Sequence, residues 1–202
     1  MQTTEVTQQV TSYFAPSSQA VVGALIRRLA YGTPITRVEA ATLVGCTESD
    51  LDTHLAQLPF RVELDDEGRI VGAGLTLLPT PHEFVIDGKR LYTWCAIDTF
   101  IFAVLLGRTA QVISPCASTG HAVSVTVSPE GILAADPPEA VVSVVSPPAN
   151  GRDVRQSFCV HVNFFESQEA AQDWSDEHKG AALLSLYEAF DLAREMARSF
   201  AF

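Results

Sequence analysis

Two residues three apart, Cys95 and Asp98, open the run CAIDTFIFAVLLG. Ile97, Ile101, Val104 and Leu105 recur there at helical spacing, Thr93 can cap the run and Gly107 can close it. The pattern predicts a helix that begins at Cys95. A helix N-terminus favours negative charge, so a thiol in its first turn is expected to ionise more readily than usual. Asp98 lies on the same face and can reach a group bound at the sulfur. A carboxylate on an otherwise apolar helix needs a reason, because burying it unpaired costs on the order of several kcal/mol. For either residue alone, core packing or interaction with the helix dipole is the commoner role. Together they describe a reactive thiol with a carboxylate beside it.

A second thiol, Cys159, sits in QSFCVHVNFF, which reads as a strand. With period two, Phe158, Val160, Val162 and Phe164 share one face, and Ser157, Cys159, His161 and Asn163 share the other. Cys159 is thus grouped with the polar set, where a packing cysteine is less at home. Cys116, in SPCASTG, reads as a small buried filler, and Cys46, beside Gly45, as structural. There is no CxxC pair, no HxH or HExxH pattern, no GxSxG and no glycine-rich phosphate loop. These absences disfavour a zinc ribbon, a histidine-based zinc site, an α/β-hydrolase serine and a nucleotide site. His161 is near Cys159 but reads as structural.

The elements that must carry these groups divide by texture into helices, then strands, then a helical tail. A short helix enters at Thr3 or Thr4. Residues 18–31 hold Val21, Val22, Leu25, Ile26 and Leu29 at helical spacing, ended by Gly32 and Pro34. Thr36 with Glu39 is a capping-box pattern for a helix that reaches Val44 and breaks at Gly45. Thr47 opens a further helix with Leu51, Leu55 and Leu58 on one face, stopped by Pro59. FRVELDDEGRIVGAG then reads as a hairpin turning near Asp66 and Gly68. Three helices and a hairpin suggest a winged-helix-like module over residues 1–75. Its candidate recognition helix carries Glu48, Asp50 and Asp52 and no Lys or Arg, so packing, not DNA binding, is the expected role.

From 76 to 202 the expectation is an α+β catalytic domain, a mixed β-sheet core with flanking helices. Asp87–Gly88 between apolar runs signals a hairpin. AQVIS, AVSVTVS and AVVSVVS read as strands and 147–151 as a loop. The tail from Gln168 to about Ala201 reads as two helices broken at Gly180, with Trp174 and the Leu184/Tyr187 face packing on the sheet.

The net charge of −11 over 202 residues disfavours nucleic acid as a partner. No apolar run is long enough to span a bilayer, and MQTTEVTQQVTSYF lacks the basic flank and apolar stretch of a signal peptide. A cytoplasmic protein with four free thiols and no membrane association is therefore expected.

Longer motifs sharpen the reading. WCAID at 94–98, GRTAQVISPC at 107–116, VSVTVSPEGI at 123–132 and DVRQSFCVHVNFF at 153–165 resemble the organomercurial (alkylmercury) lyases of bacterial mercury resistance. The similarity continues through Asp173, Trp174 and His178, is strong from about Leu75 onward and is looser before it. The resemblance maps that family's two essential cysteines onto Cys95 and Cys159, its aspartate onto Asp98, and its structural cysteine onto Cys116. It implies protonolysis of a carbon–mercury bond. Mercury(II) is soft and prefers thiolates, so two of them hold the metal and weaken its bond to carbon. Asp98 would collect a proton from an entering thiol and pass it to the leaving carbon.

Mercury would be substrate and product, with Cys95, Cys159 and Asp98 as its ligands and no cofactor. The implied partners are small organomercurials, low-molecular-weight thiols that remove the product, and mercuric reductase. The organic group needs an apolar pocket, for which Trp94 and Phe158 are candidates; Tyr92 reads as packing. The competing class is a thiol-based protein that binds or traffics a soft metal without chemistry, for which a proton carrier such as Asp98 would have no use. A metal-sensing winged-helix regulator is a third reading, which the acidic recognition helix argues against.

Overall fold

Cap chemistry sets the first helices of the structure, a computed structural model that describes residues 2–13, 19–58, 60–147 and 153–199. After α1 (Gln2–Tyr13), α2 (Gln19–Leu29) buries Val22, Leu25, Ile26 and Leu29. α3 (Arg37–Val44) begins at the predicted capping box: Glu39 N donates to Thr36 Oγ1, and Thr36 N donates to the Glu39 carboxylate at 2.9 Å. It ends where Gly45 turns left-handed, φ 80°. α4 (Leu51–Leu55) is a short helix that buries Leu51. Asp52 and Glu48 of this region pair with Arg37.

β1 (Glu63–Leu64) and β2 (Ile70–Ala73) form the expected hairpin, and β3 (Leu75–Thr76) pairs back on β2. β4 (His82–Ile86) and β5 (Lys89–Thr93) follow, joined at Asp87 and Gly88, both with positive φ as a tight hairpin turn requires. Next come α5 (Ala96–Leu106), β6 (Ala110–Pro115), β7 (Ala122–Ser128) and β8 (Gly131–Asp136). The first eight strands make one sheet, ordered β1-β2-β3-β5-β4-β6-β7-β8, with antiparallel neighbours. This sheet runs across residue 75 without a break.

β9 (Val141–Val144), α6 (Val154–Ser157), a 3₁₀ turn (Cys159–His161), β10 (Phe164–Phe165), α7 (Gln172–Glu177), β11 (Ala182–Ser185) and α8 (Leu186–Ser199) complete the chain. β10, β9 and β11 form a second, three-stranded antiparallel sheet. α5 is apolar except at Asp98 and Thr99, the pattern of a helix largely enclosed by protein. It packs against β4–β7 and against α8, and Phe100 meets the rings of Phe164 and Phe190.

The α+β expectation holds. Several local expectations do not, and one strand lies outside them. QSFCVHVNFF is not a strand over its length; only Phe164 and Phe165 pair. Asp153 caps a helical turn there, accepting from Gln156 N at 3.3 Å, and Val162 N then donates to Cys159 O to close the 3₁₀ turn. The period-two face accordingly breaks, with Val160 51% exposed between buried Phe158 and Val162. The first part of the tail after Gly180 is β11, not helix, and Leu184 is buried while Tyr187 is 68% exposed. β8 was not anticipated, because an edge strand reading GILAAD has little of the β-branched signal. The loop expected over 147–151 lies, from 148 on, outside the described residues.

Candidate active site

Cys95 occupies the N-cap of α5 in extended conformation, φ −150° and ψ 170°. Its own side chain does not cap the helix, and neither does Thr93, whose buried hydroxyl donates instead to the Cys95 carbonyl at 2.8 Å. Trp94 N donates to Gly74 O, and Ala96 N donates to Val162 O at 3.0 Å. The last bond joins the start of α5 to the end of the turn that holds Cys159. Ser143 on β9 fixes that turn from below: its hydroxyl donates to His161 O at 2.8 Å and accepts from Asn163 N at 2.9 Å.

The outcome is a cluster. The ligand atoms of Cys95, Asp98 and Cys159 all lie within 4.8 Å of one another. Residues 64 positions apart in sequence thus meet, and both thiols are buried and free. Asp98 as a residue is partly exposed, yet its Oδ2 is buried and has no hydrogen-bond partner. An orphaned carboxylate oxygen costs free energy unless something is meant to meet it.

The electrostatics reverse one expectation. Burial pushes the Cys95 thiol well above its ordinary pKa, and its hydrogen bond to Cys159 and the Asp98 charge push the same way. The helix start does not prevail, because a helix dipole contributes about 0.3–2 kcal/mol, whereas full burial can move a pKa by roughly 3–5 units. Asp98 is raised to about 7 by burial, with hydrogen bonds from Cys95 opposing. For Cys159 the hydrogen bond from Cys95 favours the thiolate, but burial and Asp98 outweigh it, and Arg155 only partly offsets them, so its pKa is also raised. Without a metal the two thiols therefore keep their protons while Asp98 titrates near neutrality, and a metal ion placed among the three groups would release the thiol protons.

Cys159 and Asp98 open on an apolar cavity whose empty volume, mouth included, is about 530 Å³. Trp94 and Phe158, the two residues singled out from the sequence, line it. Tyr92 does not. The sequence reading missed the walls from elsewhere: Val22 and Ile26 of α2, Phe60, and Met196 of α8. Nothing in their spacing distinguishes them from other core positions. Cys116 is buried as expected. Burial acts to raise its pKa, but hydrogen bonds from Ser118, Thr119 and the Glu166 backbone outweigh it and lower the value to about 7.

Comparison with known proteins covers the same region of the chain. A family model described as alkylmercury lyase matches residues 75–198. An alkylmercury lyase of Bacillus cereus is 46% identical over 172 residues, 85% of this chain and 78% of the relative. One from Pseudomonas putida is 43% identical over 173 residues, 86% of this chain and 81% of the relative. One from Streptomyces lividans is 42% identical over 175 residues, with 87% and 80% covered. A solved structure described as the mercury-bound form of MerB2 shares the fold, with a TM-score of 0.82 at 22% identity over 96% of this chain and 100% of that one. A family match across the region that carries both thiols, with relatives aligned over most of their own length, makes this chain a member of the alkylmercury lyase family.

Proposed function

We propose that the chain cleaves carbon–mercury bonds by protonolysis at Cys95, Cys159 and Asp98. The observation that carries the reading is the cluster itself: two thiols and a carboxylate converge within 4.8 Å, with one carboxylate oxygen unpartnered, at the wall of an apolar cavity. The organic group of the substrate occupies the cavity against Trp94 and Phe158, and mercury takes the place among the sulfurs.

Each thiol gives up its proton as its sulfur bonds mercury. Asp98 accepts one of these protons and delivers it to the carbon as the carbon–mercury bond breaks. The bond's electron pair goes to the carbon, which leaves as the hydrocarbon. The second proton leaves with the substrate's original counter-ligand. Mercury(II) stays on two sulfurs, with no change of oxidation state, and no reductant or organic cofactor enters the balance. Small thiols, or the cysteines of a mercuric reductase, then remove it by ligand exchange. Residues 1–75 act in this scheme as a packing module that supplies cavity walls, not as a DNA reader.

Anaerobic incubation with an arylmercury compound and excess small thiol tests the reading, with the free arene measured by gas chromatography. Stoichiometric arene release over many turnovers is expected. Tight mercury uptake with no arene would leave a soft-metal binding protein in its place.

A further inference from the structure

A polar contact in which neither thiol takes part joins the segments that carry them. Glu63 on β1 is largely buried, with its side chain 13% exposed. One of its oxygens accepts from Trp94 Nε1 at 3.1 Å, and the other forms an ion pair with Arg155 Nη1. The Arg155 guanidinium in turn lies 5.6 Å from the centre of the Trp94 ring, within cation–π range. Gly72, opposite Glu63 on β2, makes the room: a Cβ there would come 1.9 Å from Glu63 Oε2. Phe60 closes the outer edge of the group, its ring 5.3 Å from Trp94 and nearly perpendicular to it.

The chain positions make this contact informative. Trp94 immediately precedes Cys95, and Arg155 lies four residues before Cys159. One carboxylate on β1 therefore grips both thiol-bearing segments. The turn after Cys159 has its own ties, to Ser143 and to Ala96 N. Among the described residues just before Cys159 stands α6, a helix of four residues, too short to be stable by itself. Its anchors include the Asp153 cap, buried Val154 and the Arg155–Glu63 pair. Trp94, Phe60, Val154 and Phe158 all line the cavity, so the same contact also supports that wall.

We propose that Glu63, Arg155 and Trp94 form a clasp that sets the separation of Cys95 and Cys159, making Glu63 and Arg155 positioning residues for the reaction. Glu63 touches neither substrate nor sulfur. Its effect reaches the sulfurs through the two segments it joins, and this is how the N-terminal part of the chain enters the chemistry. The inference rests on the lyase reading only where turnover is concerned. The holding of mercury(II) by two sulfurs tests it separately.

Glu63→Gln removes the charge and keeps the shape, Arg155→Met keeps the stem over Trp94 and removes the cation, and Arg155→Lys restores a cation. After thermal melts show each variant folded, two quantities are measured. The first is retention of mercury(II), by equilibrium dialysis against graded dithiothreitol. The second is kcat and KM for an arylmercury substrate. Glu63→Gln and Arg155→Met are each expected to retain mercury about tenfold less well and to lose roughly 10- to 100-fold in kcat, the scale of an ångström's misplacement of a reacting group. Arg155→Lys should recover most of both, and Glu63→Gln carries the test of loss should Arg155→Met not fold. The double variant Glu63→Gln/Arg155→Met should be no worse than the weaker single one, because both remove the same contact. Wild-type retention and kcat in folded Glu63→Gln would overturn the clasp, as would strictly additive losses in the double variant. If the unaltered protein releases no arene at all, the lyase reading fails, and the retention measurements still decide the clasp.

Discussion

Asp98 is the residue on which binding and catalysis part company. Asp98→Ala leaves two thiols to hold mercury(II), so retention in dialysis should stay near wild type while arene release falls to background; a variant that turns over normally would remove Asp98 as proton carrier. The proton must start on a thiol and pass through an ionised Asp98, whose pKa is raised to about 7 by burial. With the thiolate concentration of the external thiol held constant, kcat/KM should therefore drop roughly tenfold per unit as pH falls below about 7. The same shift bears on stability with a definite sign. Between its unfolded value of 3.8 and about 7, Asp98 is protonated in the folded chain and ionised in the unfolded one. Stability is then lost as pH rises through that window and does not return above it. Asp98→Asn, which cannot ionise, should accordingly be more stabilising at pH 8 than at pH 5, by on the order of 2–4 kcal/mol in chemical denaturation. The thiols divide in the same manner. Cys95→Ser and Cys159→Ser should each lose turnover, because a hydroxyl is a hard and poorly ionised ligand for a soft metal. Cys116→Ser puts a hydroxyl among donors that already meet the sulfur, so it should cost at most about 1 kcal/mol of stability and keep its chemistry.

At the scale of elements, a small helix and a single 3₁₀ turn carry half of the site. A turn of three residues has no stability of its own, so the bonds from Ser143 and from Ala96 N decide where Cys159 points. Ser143→Ala removes a donor and an acceptor at once and leaves a part-buried carbonyl and a part-buried N–H short of partners. It should cost about 1–3 kcal/mol in denaturant melts. At a temperature where the variant is fully folded it should lower kcat more than it raises KM, since the cavity walls are untouched and the thiols are not. Equal effects of Ser143→Ala on both constants would mean that the turn is held by packing alone. α5 is the opposite case, a helix packed against β4–β7, α2 and α8, which is why it can keep one carboxylate oxygen of Asp98 out of water in a fixed place.

Across the whole molecule the eight-stranded sheet joins what the sequence divides near residue 75. β1 to β3 belong to the same sheet as β4 to β8, and α2 and Phe60 contribute to the cavity. A fragment beginning at residue 76 would bare the edge of β5 and lose one wall of the site. Near-UV circular dichroism should show it without fixed aromatic packing, and it should retain no activity. Among the described residues no helix is long and apolar enough to cross a membrane.

Caps and turns are local physics, and the sequence alone determined them: the Thr36–Glu39 box, the Gly45 and Gly107 stops and the Asp87–Gly88 hairpin depend on residues a few positions apart. The i, i+3 relation of Cys95 and Asp98 is also local, and one turn of helix suffices to bring them to one face. Three things were decided only by tertiary structure. The conformation at Cys159 looked like a strand because alternating apolar residues satisfy period two, whereas Asp153 capping and the bonds to Ser143 and Ala96 select a turn instead. The protonation of Cys95 looked like that of an activated thiol because the helix dipole is legible in a sequence, while the burial that overrides it is a property of the packed molecule. The Glu63–Arg155 contact spans 92 positions, and a charge in a hairpin full of charges carries no mark of the partner that folding will bring to it.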